Sequence, residues 1–317
     1  SAGGSSGSED ERARAAAAPE AAGSRKAAAP AAAGASIAAS ASGSSSSEDE
    51  RARGTIEFVD TLGKCSQVCS DMRRDSMLAV DVEGIRLGRH GEICLVQIAN
   101  QKGHVFLFDI TVLGKSAFAR GLQELLESDT IAKLFFDCRG DADALFHLYR
   151  VQPRHVLDMQ VLCHKATGGS SVFLQGFAKA AGKVLPYSQR QIMKGIKEAG
   201  QALFAPERGG SLEIFKKRPM TQVLQKYCAQ DVVHLFPMYE AWCACIPEKT
   251  LRLVSEMRML TRIRSKVVET GPQLARVDFE FPGESKKRKL ASTPSASPEP
   301  PAAKVSRPEA PGARPAD

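Results

Sequence analysis

The sequence has no continuous apolar segment of about 18 or more residues, so it predicts no membrane-spanning helix. None of its eight cysteines forms a Cys-x-x-Cys pair, and without paired Cys or His spacing a structural zinc site is not expected. No secretory signal is visible, and several cysteines lie within apolar runs. We therefore expect reduced, mostly buried thiols, with disulfides as the alternative that the even count allows.

Both ends of the chain are poor in residues that build a core. Residues 1–53 consist mainly of Ala, Ser and Gly with short charged pieces, and they contain almost no aromatic or branched side chains. Residues 269–317 are rich in Pro, Ala, Ser and Lys. Because such segments cannot bury enough apolar surface to offset the entropy of ordering, we expect two disordered tails. The interval 54–268 then forms one domain of ordinary size.

Basic residues exceed acidic ones and give the chain a formal charge of +7, which suits the phosphate backbone of a nucleic acid. A basic run in the C-terminal tail is typical of nuclear import signals, with a non-specific electrostatic tail as the alternative. This run consists of Lys286, Lys287, Arg288 and Lys289. We therefore expect a nuclear or cytoplasmic protein, with the nucleus favoured.

The apolar pattern predicts an α/β fold with a mixed five-stranded sheet flanked by helices. The five strands are expected at 77–84, 92–99, 104–109, 131–137 and 155–158, and a further short strand candidate lies at 56–59. Helical spacing predicts helices near 63–72, 122–126 and 141–149, and mostly helices after 158. The segment 186–219 interrupts these patterns and is predicted to be loosely structured.

Four carboxylates stand out by their position. Asp81 and Glu83 lie two residues apart at the end of a predicted strand, so their side chains point to one face. Asp141 begins the helix that follows the fourth predicted strand. Asp231 lies on a late helix, and Tyr227 precedes it by four residues on the same helical face. Taken singly, each has an ordinary reading as a solvated strand end, a helix N-terminal acid or a helix pair.

Carboxylates that converge repel one another, and bound divalent cations remove that repulsion. Hard oxygen ligands suit Mg²⁺ or Mn²⁺. Two such ions about 4 Å apart can activate a water molecule and stabilise the leaving oxygen of a phosphodiester. Tyr227 would then hold or deprotonate the attacking water through its phenol oxygen.

The order of three motifs resembles the DEDD 3′-5′ exonucleases of the ribonuclease D and Werner type. Residues 80–84 and 93–98 resemble the first motif, and residues 133–141 resemble the second. Residues 227–232 resemble the third, in the variant with Tyr four positions before Asp. The resemblance implies a ribonuclease H-like fold with two metal ions and an oriented water. It assigns these roles to Asp81, Glu83, Asp141 and Asp231 as metal ligands and to Tyr227 beside the water.

Finer features are similar to the 3′-5′ exonuclease domain-containing protein 1 family. They are the segments 87–91, 136–139 and 203–207. Animal members of that family lack part of the acidic set and serve as RNA-binding adaptors in small-RNA pathways. This sequence keeps the whole set, so the resemblance implies an active enzyme that degrades single-stranded RNA or DNA to nucleoside 5′-monophosphates. A non-catalytic RNA-binding adaptor is the alternative.

Basic residues crowd the segment before the third motif, and another lies close to the second-motif acid. We expect substrate contacts from Arg139, Lys194, Lys197, Lys216, Lys217 and Arg218, with a solvated surface as the alternative. Asp143 follows Asp141 by two residues and is predicted to point to solvent. Asp158 is predicted to cap or brace the fold.

Overall fold

The computed structural model describes residues 55–267 and 274–282. The predicted tails and the basic run at 286–289 lie outside these ranges, with one exception. Residues 274–282 were expected within the disordered C-terminal tail, and that expectation is wrong. The backbone N–H of Leu174 donates to the Ala275 carbonyl at 2.7 Å, and that of Val277 donates to the Val172 carbonyl at 3.0 Å. The ring of Phe281 is buried in the core.

The sheet contains six strands among the described residues, in the order β1-β4-β3-β2-β5-β6. The strands are β1 (Ile56–Val59), β2 (Met77–Ile85), β3 (Glu92–Asn100), β4 (Val105–Asp109), β5 (Ala132–Phe135) and β6 (Val156–Asp158). Strand β3 runs antiparallel to β2 and β4, whereas the pairs β1–β4, β2–β5 and β5–β6 are parallel. The mixed sheet is confirmed. It has one strand more than the five expected, because the candidate at 56–59 pairs with β4.

Helices cover both faces of this sheet. They are α1 (Leu62–Met72), α2 (Ile110–Leu113), α3 (Lys115–Ala117), α4 (Gln123–Leu126), α5 (Arg139–Tyr149), α6 (Met159–Ala166), α7 (Phe177–Val184), α8 (Tyr187–Phe204), α9 (Gln222–Val233), α10 (Leu235–Trp242) and α11 (Glu248–Arg264). A π-helical turn joins α3 to α4, and short 3₁₀ turns follow α8 and α10. In the described part of the chain, no helix has the length and apolar character that a membrane crossing needs.

Helix α8 corrects the prediction that residues 186–219 are loosely structured, because 18 of them form this helix. Met193 and Ile196 pack into the core at helical spacing, and Gly200 is buried on the same side. Glycine lowers helix propensity by about 1 kcal/mol relative to alanine. The two glycines of the helix and its flanking proline therefore hid it from the sequence pattern.

Strand β2 lies inside the sheet and sends alternate side chains into two separate cores. Val80 and Val82 enter the core that also contains side chains of α1 and α5. Ala79 enters the opposite core, together with side chains of α9 and α10. Because alternate residues of a strand share a face, Asp81 and Glu83 lie on the same face as Ala79. The fold therefore directs both acids toward the helices that follow the second motif.

A β-bulge interrupts the pairing of β2 with β3 directly after Glu83. The backbone carbonyl of Glu92 lies so close to Gly84 that a Cβ atom there would overlap it. Glycine is thus required where the strand changes register. The bulge ends the regular ladder beside the two acids, as is common next to functional sites.

The cysteines are free, and six of the eight are buried, including Cys65 and Cys228. The prediction that most of the thiols are buried is confirmed. Cys243 and Cys245 are exposed.

Candidate active site

Three carboxylates meet beside the bulge, and we call them the carboxylate cluster: Asp81, Glu83 and Asp231. The first two come from β2, and Asp231 comes from α9, which packs over the same sheet face. One oxygen of each side chain lies within 4.8 Å of the others. Oxygen atoms at this separation fit a hard divalent cation bound between them.

The three carboxyl groups share a poorly solvated place. Burial, and then the charge of Asp231, raises the pKa of Asp81 to about 8. Burial and the charge of Asp81 raise the pKa of Glu83 well above its usual range. Burial also raises the pKa of Asp231, although the Lys197 ammonium opposes this. A cation between these groups would remove both the repulsion and much of the desolvation cost, so their chemistry fits a divalent metal.

Asp141 borders the carboxylate cluster without being part of the group of three oxygens. It lies in the first turn of α5, and its side chain is buried. Burial, followed by the charges of Asp81 and Asp137, raises the pKa of Asp141 well above its usual range. The fourth predicted acid is therefore electrostatically coupled to the cluster.

Tyr227 lies on α9 one turn before Asp231 and is only 8% exposed. Its ring rests on the backbone of α8 at Gly200, where a Cβ atom would overlap the ring. The ring of Phe204 packs edge-on against it, with 5.1 Å between centroids. Burial, and then the charge of Asp231, raises the pKa of Tyr227 far above its usual range. The phenol therefore keeps its proton at neutral pH and can orient a water by hydrogen bonding.

Lys197 is the predicted substrate-binding residue that reaches the carboxylate cluster. Its ammonium group pairs with Asp231 and lies over the ring of Tyr227, 4.2 Å from the centroid. The ring of Phe177 lies on another side, at 4.9 Å. The sequence grouped Lys197 with several other basic residues of a supposed loop, and no local signal set it apart from them.

Two of the predicted substrate-binding residues form ion pairs within the domain. Arg139 is 4% exposed, and its guanidinium binds Asp137 at 2.6 Å and Asp278 at 2.9 Å. Arg218 binds both carboxylate oxygens of the buried Asp109 at 2.5 Å. Because these donors already bind carboxylates of the domain, the substrate contacts of both arginines stay a prediction.

The remaining predicted substrate-binding residues lie on the surface. The Lys194 side chain is 67% exposed, and its ammonium lies 3.8 Å from a carboxylate oxygen of Glu198. Lys216 pairs with Glu92 at 2.7 Å, and Lys217 is exposed. These lysines can supply a general positive field for a phosphate backbone, but they are not part of the carboxylate cluster.

Asp143 and Asp158 have structural roles. The prediction that Asp143 points to solvent is wrong, because its buried carboxylate accepts hydrogen bonds from the Arg89 backbone at 2.9 Å and guanidinium at 2.7 Å. The prediction for Asp158 is confirmed. Its side chain caps α6 by accepting a hydrogen bond from the backbone of Gln160 at 2.9 Å, and it pairs with Arg258 at 2.6 Å.

The ion pairs of Asp158 continue into a larger group that we call the guanidinium network. Its members are Asp137, Asp158, Asp278, Arg139 and Arg258. The network joins β6, the start of α5 and α11 to the packed segment 274–282.

Comparison with known proteins gives a consistent result. A family model described as a 3′-5′ exonuclease matches residues 56–242. The mouse (Mus musculus) piRNA biogenesis protein EXD1 is 34% identical over 176 residues, which cover 53% of this chain and 29% of that protein. Ribonuclease D of Shewanella sp. is 22% identical over 191 residues, covering 60% and 43%. The chain therefore spans less than half the length of these curated relatives.

Among solved structures, Trypanosoma brucei RNase D in complex with RNA U12 superimposes with a TM-score of 0.60 at 24% identity. The match covers 74% of this chain and 80% of that one. At this level of identity the similarity establishes the fold, which is that of ribonuclease D.

Proposed function

The chain belongs to the 3′-5′ exonuclease family, and on that premise we propose that it hydrolyses the terminal phosphodiester at the 3′ end of single-stranded RNA or DNA, releasing nucleoside 5′-monophosphates. The carboxylate cluster is the observation that carries this proposal. Its three acids come together from β2 and α9; burial raises the pKa of each, and repulsion by neighbouring carboxylates adds to this for Asp81 and Glu83. Perturbed acids of this kind are typical of catalytic sites.

The residues that would hold Mg²⁺ or Mn²⁺ are Asp81, Glu83, Asp141 and Asp231. When bound, two such ions lower the pKa of a water and stabilise negative charge on the leaving oxygen. The acids themselves fix the positions of the cations, because β2 and α9 are packed elements rather than loops. Asp141 extends the set beyond the three-oxygen cluster, which supports two ions over one.

Tyr227 orients the attacking water through its phenol oxygen. The contacts with Gly200 and Phe204 leave the ring little freedom, so the hydrogen bond has a fixed direction. The half-buried ring of Phe177 lies beside Lys197 and is the aromatic side chain on which we expect a terminal base to stack. Stacking of this kind requires an unpaired base, which favours a single-stranded end.

RNA is the favoured substrate within this proposal. The Trypanosoma brucei relative was solved in complex with RNA, and the mouse relative is a piRNA biogenesis protein. The mouse relative is also consistent with the adaptor alternative, since a small-RNA pathway can use this fold for RNA binding alone.

The test uses purified protein with 5′-labelled RNA and DNA strands, single-stranded and duplex, in Mg²⁺ or Mn²⁺. We expect shortening from the 3′ end with release of mononucleotides, which stops with chelator and in Asp81→Ala. Glu198→Ala is the matched control, because this acid lies on α8 with a side chain that is 58% exposed. Unchanged product release by Asp81→Ala would contradict the site. RNA binding that is indifferent to chelator and yields no product would favour the adaptor.

A further inference from the structure

Lys197 is held inside the site rather than on its surface. Only 13% of its side chain is exposed, and its ammonium touches Asp231 and the faces of two aromatic rings. An ammonium group that is partly desolvated against ring faces is stabilised there by cation–π attraction. Lys194, one turn earlier on the same helix, shows the usual alternative, with an exposed side chain beside Glu198.

The geometry of α8 and α9 fixes this placement. Gly200 of α8 admits the ring of Tyr227, and Lys197, one turn earlier on α8, reaches Asp231, one turn later on α9. The two helices therefore contact each other through both site residues of α9. The Lys197 ammonium lies against the rings of Phe177 and Tyr227 in this position.

An ammonium group and a divalent cation make the same demand on Asp231, since each binds its carboxylate oxygens. They also repel each other. Charges of +2 and +1 about 5 Å apart disfavour each other by roughly tenfold in affinity even in a medium as polar as water, and by more in a partly buried site. An anionic phosphate placed beside both cations would offset this repulsion.

We propose that Lys197 competes with divalent metal ions for Asp231. When a metal ion binds, the Lys197 ammonium pairs with a substrate phosphate instead, so that metal binding at the carboxylate cluster is coupled to nucleotide binding. The proposal rests on the proposed function of the site. It makes Lys197 a positioning residue for both metal and phosphate. By linkage, metal must strengthen nucleotide binding by the same factor by which nucleotide strengthens metal binding.

The test measures Mn²⁺ binding directly, by calorimetry or by electron paramagnetic resonance, on the full chain after removal of metals and without nucleic acid. In Lys197→Met the charge is lost while the length and apolar contacts are kept, and we expect Mn²⁺ to bind about tenfold more tightly. Lys197→Arg keeps the charge and should stay within about threefold of the original affinity. Lys194→Met removes a charge from the same helix and should change nothing.

A second measurement adds uridine 5′-monophosphate as the phosphate probe. In the unmodified protein the nucleotide should tighten Mn²⁺ binding, and in Lys197→Met this tightening should shrink several-fold. Circular dichroism establishes that each variant is folded, and Lys197→Gln replaces the Met variant should that one fail to fold.

Unchanged or weaker Mn²⁺ binding by Lys197→Met would overturn the proposal. Weaker binding would mean that Lys197 only keeps Asp231 in place. If the unmodified protein binds Mn²⁺ and degrades RNA while Lys197→Met binds Mn²⁺ equally well, the role of Lys197 fails and the proposed function stands. If neither protein binds Mn²⁺, both fail together.

Discussion

The carboxylate cluster and the guanidinium network both gather acids in the interior, but they differ in their cations. In the network, Arg258 donates to Asp158 at 2.6 Å and to Asp278 at 2.8 Å, and Arg139 adds a second guanidinium. The cluster packs its acids within 4.8 Å of one another, and Lys197 pairs with only one of them. The acids of the guanidinium network are neutralised by arginines of the domain, whereas the carboxylate cluster leaves acids for a bound cation to neutralise.

The two regions respond to burial in opposite ways. Burial alone would raise the pKa of Asp137, but hydrogen bonds and charge from Arg139, together with the charge of Arg258, outweigh it and lower the pKa. In the cluster, burial and the charge of Asp231 outweigh the Lys197 ammonium and the Val82 backbone N–H, and the pKa of Asp81 rises to about 8. Buried acids therefore indicate function only where their partners are missing, which is a distinction that burial by itself cannot make.

The largest expected effect separates activity from stability at Asp81. Replacing Asp81 with Asn should lower the rate of mononucleotide release by at least about a thousandfold, as the loss of a catalytic group does elsewhere. Thermal unfolding without metal should stay at the same temperature or move up, because Asn removes the cost of keeping this acid buried beside Asp231. A strongly destabilised Asp81→Asn protein would contradict the distinction between the two regions, since it would show that the carboxylate cluster stabilises the fold.

Arg258→Met tests the other region. Removing one partner of a buried ion pair costs about 3–5 kcal/mol of unfolding free energy, because the remaining acids stay buried without a counter-charge. Urea denaturation measures this loss. Arg252→Met, on the same helix with a side chain that is 33% exposed, should cost less than about 1 kcal/mol. Equal losses in the two variants would remove the distinction that we draw.

A smaller effect is expected at the contact between α8 and α9. Gly200→Ala forces a Cβ atom into the ring of Tyr227, and overpacking of this kind costs about 1–3 kcal/mol. Because the ring moves, turnover should fall more than substrate affinity. Gly195→Ala is the matched control, as nothing lies within 4 Å of the added atom, and it should be neutral or stabilising by up to about 1 kcal/mol. Parallel kinetics and melting curves decide between the two outcomes.

The smallest expected effect is a difference in pH dependence. With chelator present, the pKa of Asp81 is about 8 in the folded state, against an ordinary value of 3.8, so the folded state holds a proton that the unfolded chain releases. Its contribution to stability is complete below that ordinary value and is lost as the pH rises to about 8. Asp137 has a lowered pKa and behaves oppositely, losing its contribution as the pH falls.

Melting temperatures recorded with chelator across this interval should therefore fall by a few degrees toward high pH. The decline should be flatter in Asp81→Asn and in the original protein with Mg²⁺. An identical slope in all three samples would show that Asp81 does not titrate as its surroundings require.

The parts of the site that lie within one element could be predicted from the sequence. The two-residue spacing of Asp81 and Glu83 on a strand fixes a common face, and the four-residue spacing of Tyr227 and Asp231 does the same on a helix. The strand that carries Asp81 and Glu83 was equally predictable from its apolar run. These features depend only on local periodicity.

Contacts between distant elements could not be predicted in this way. The surroundings of Asp143 depend on Arg89, which lies in the connection between β2 and β3 and is distant from Asp143 in the chain. Lys197 and Lys194 are equivalent in local sequence, and only the packing of α8 against α9 separates the buried one from the exposed one. The ion pair of Arg139 could not be predicted for the same reason, since its partner Asp278 is far away in the chain.

The packed segment 274–282 has a consequence for where this domain ends as a physical unit. Asp278 supplies acceptors to Arg139 and Arg258 from beyond α11, and Phe281 fills part of the core. A truncation after Lys266 would strip both guanidinium groups of that acceptor and open the core to water. The packed part of the domain therefore extends to Phe281, well past the last residue of the proposed site.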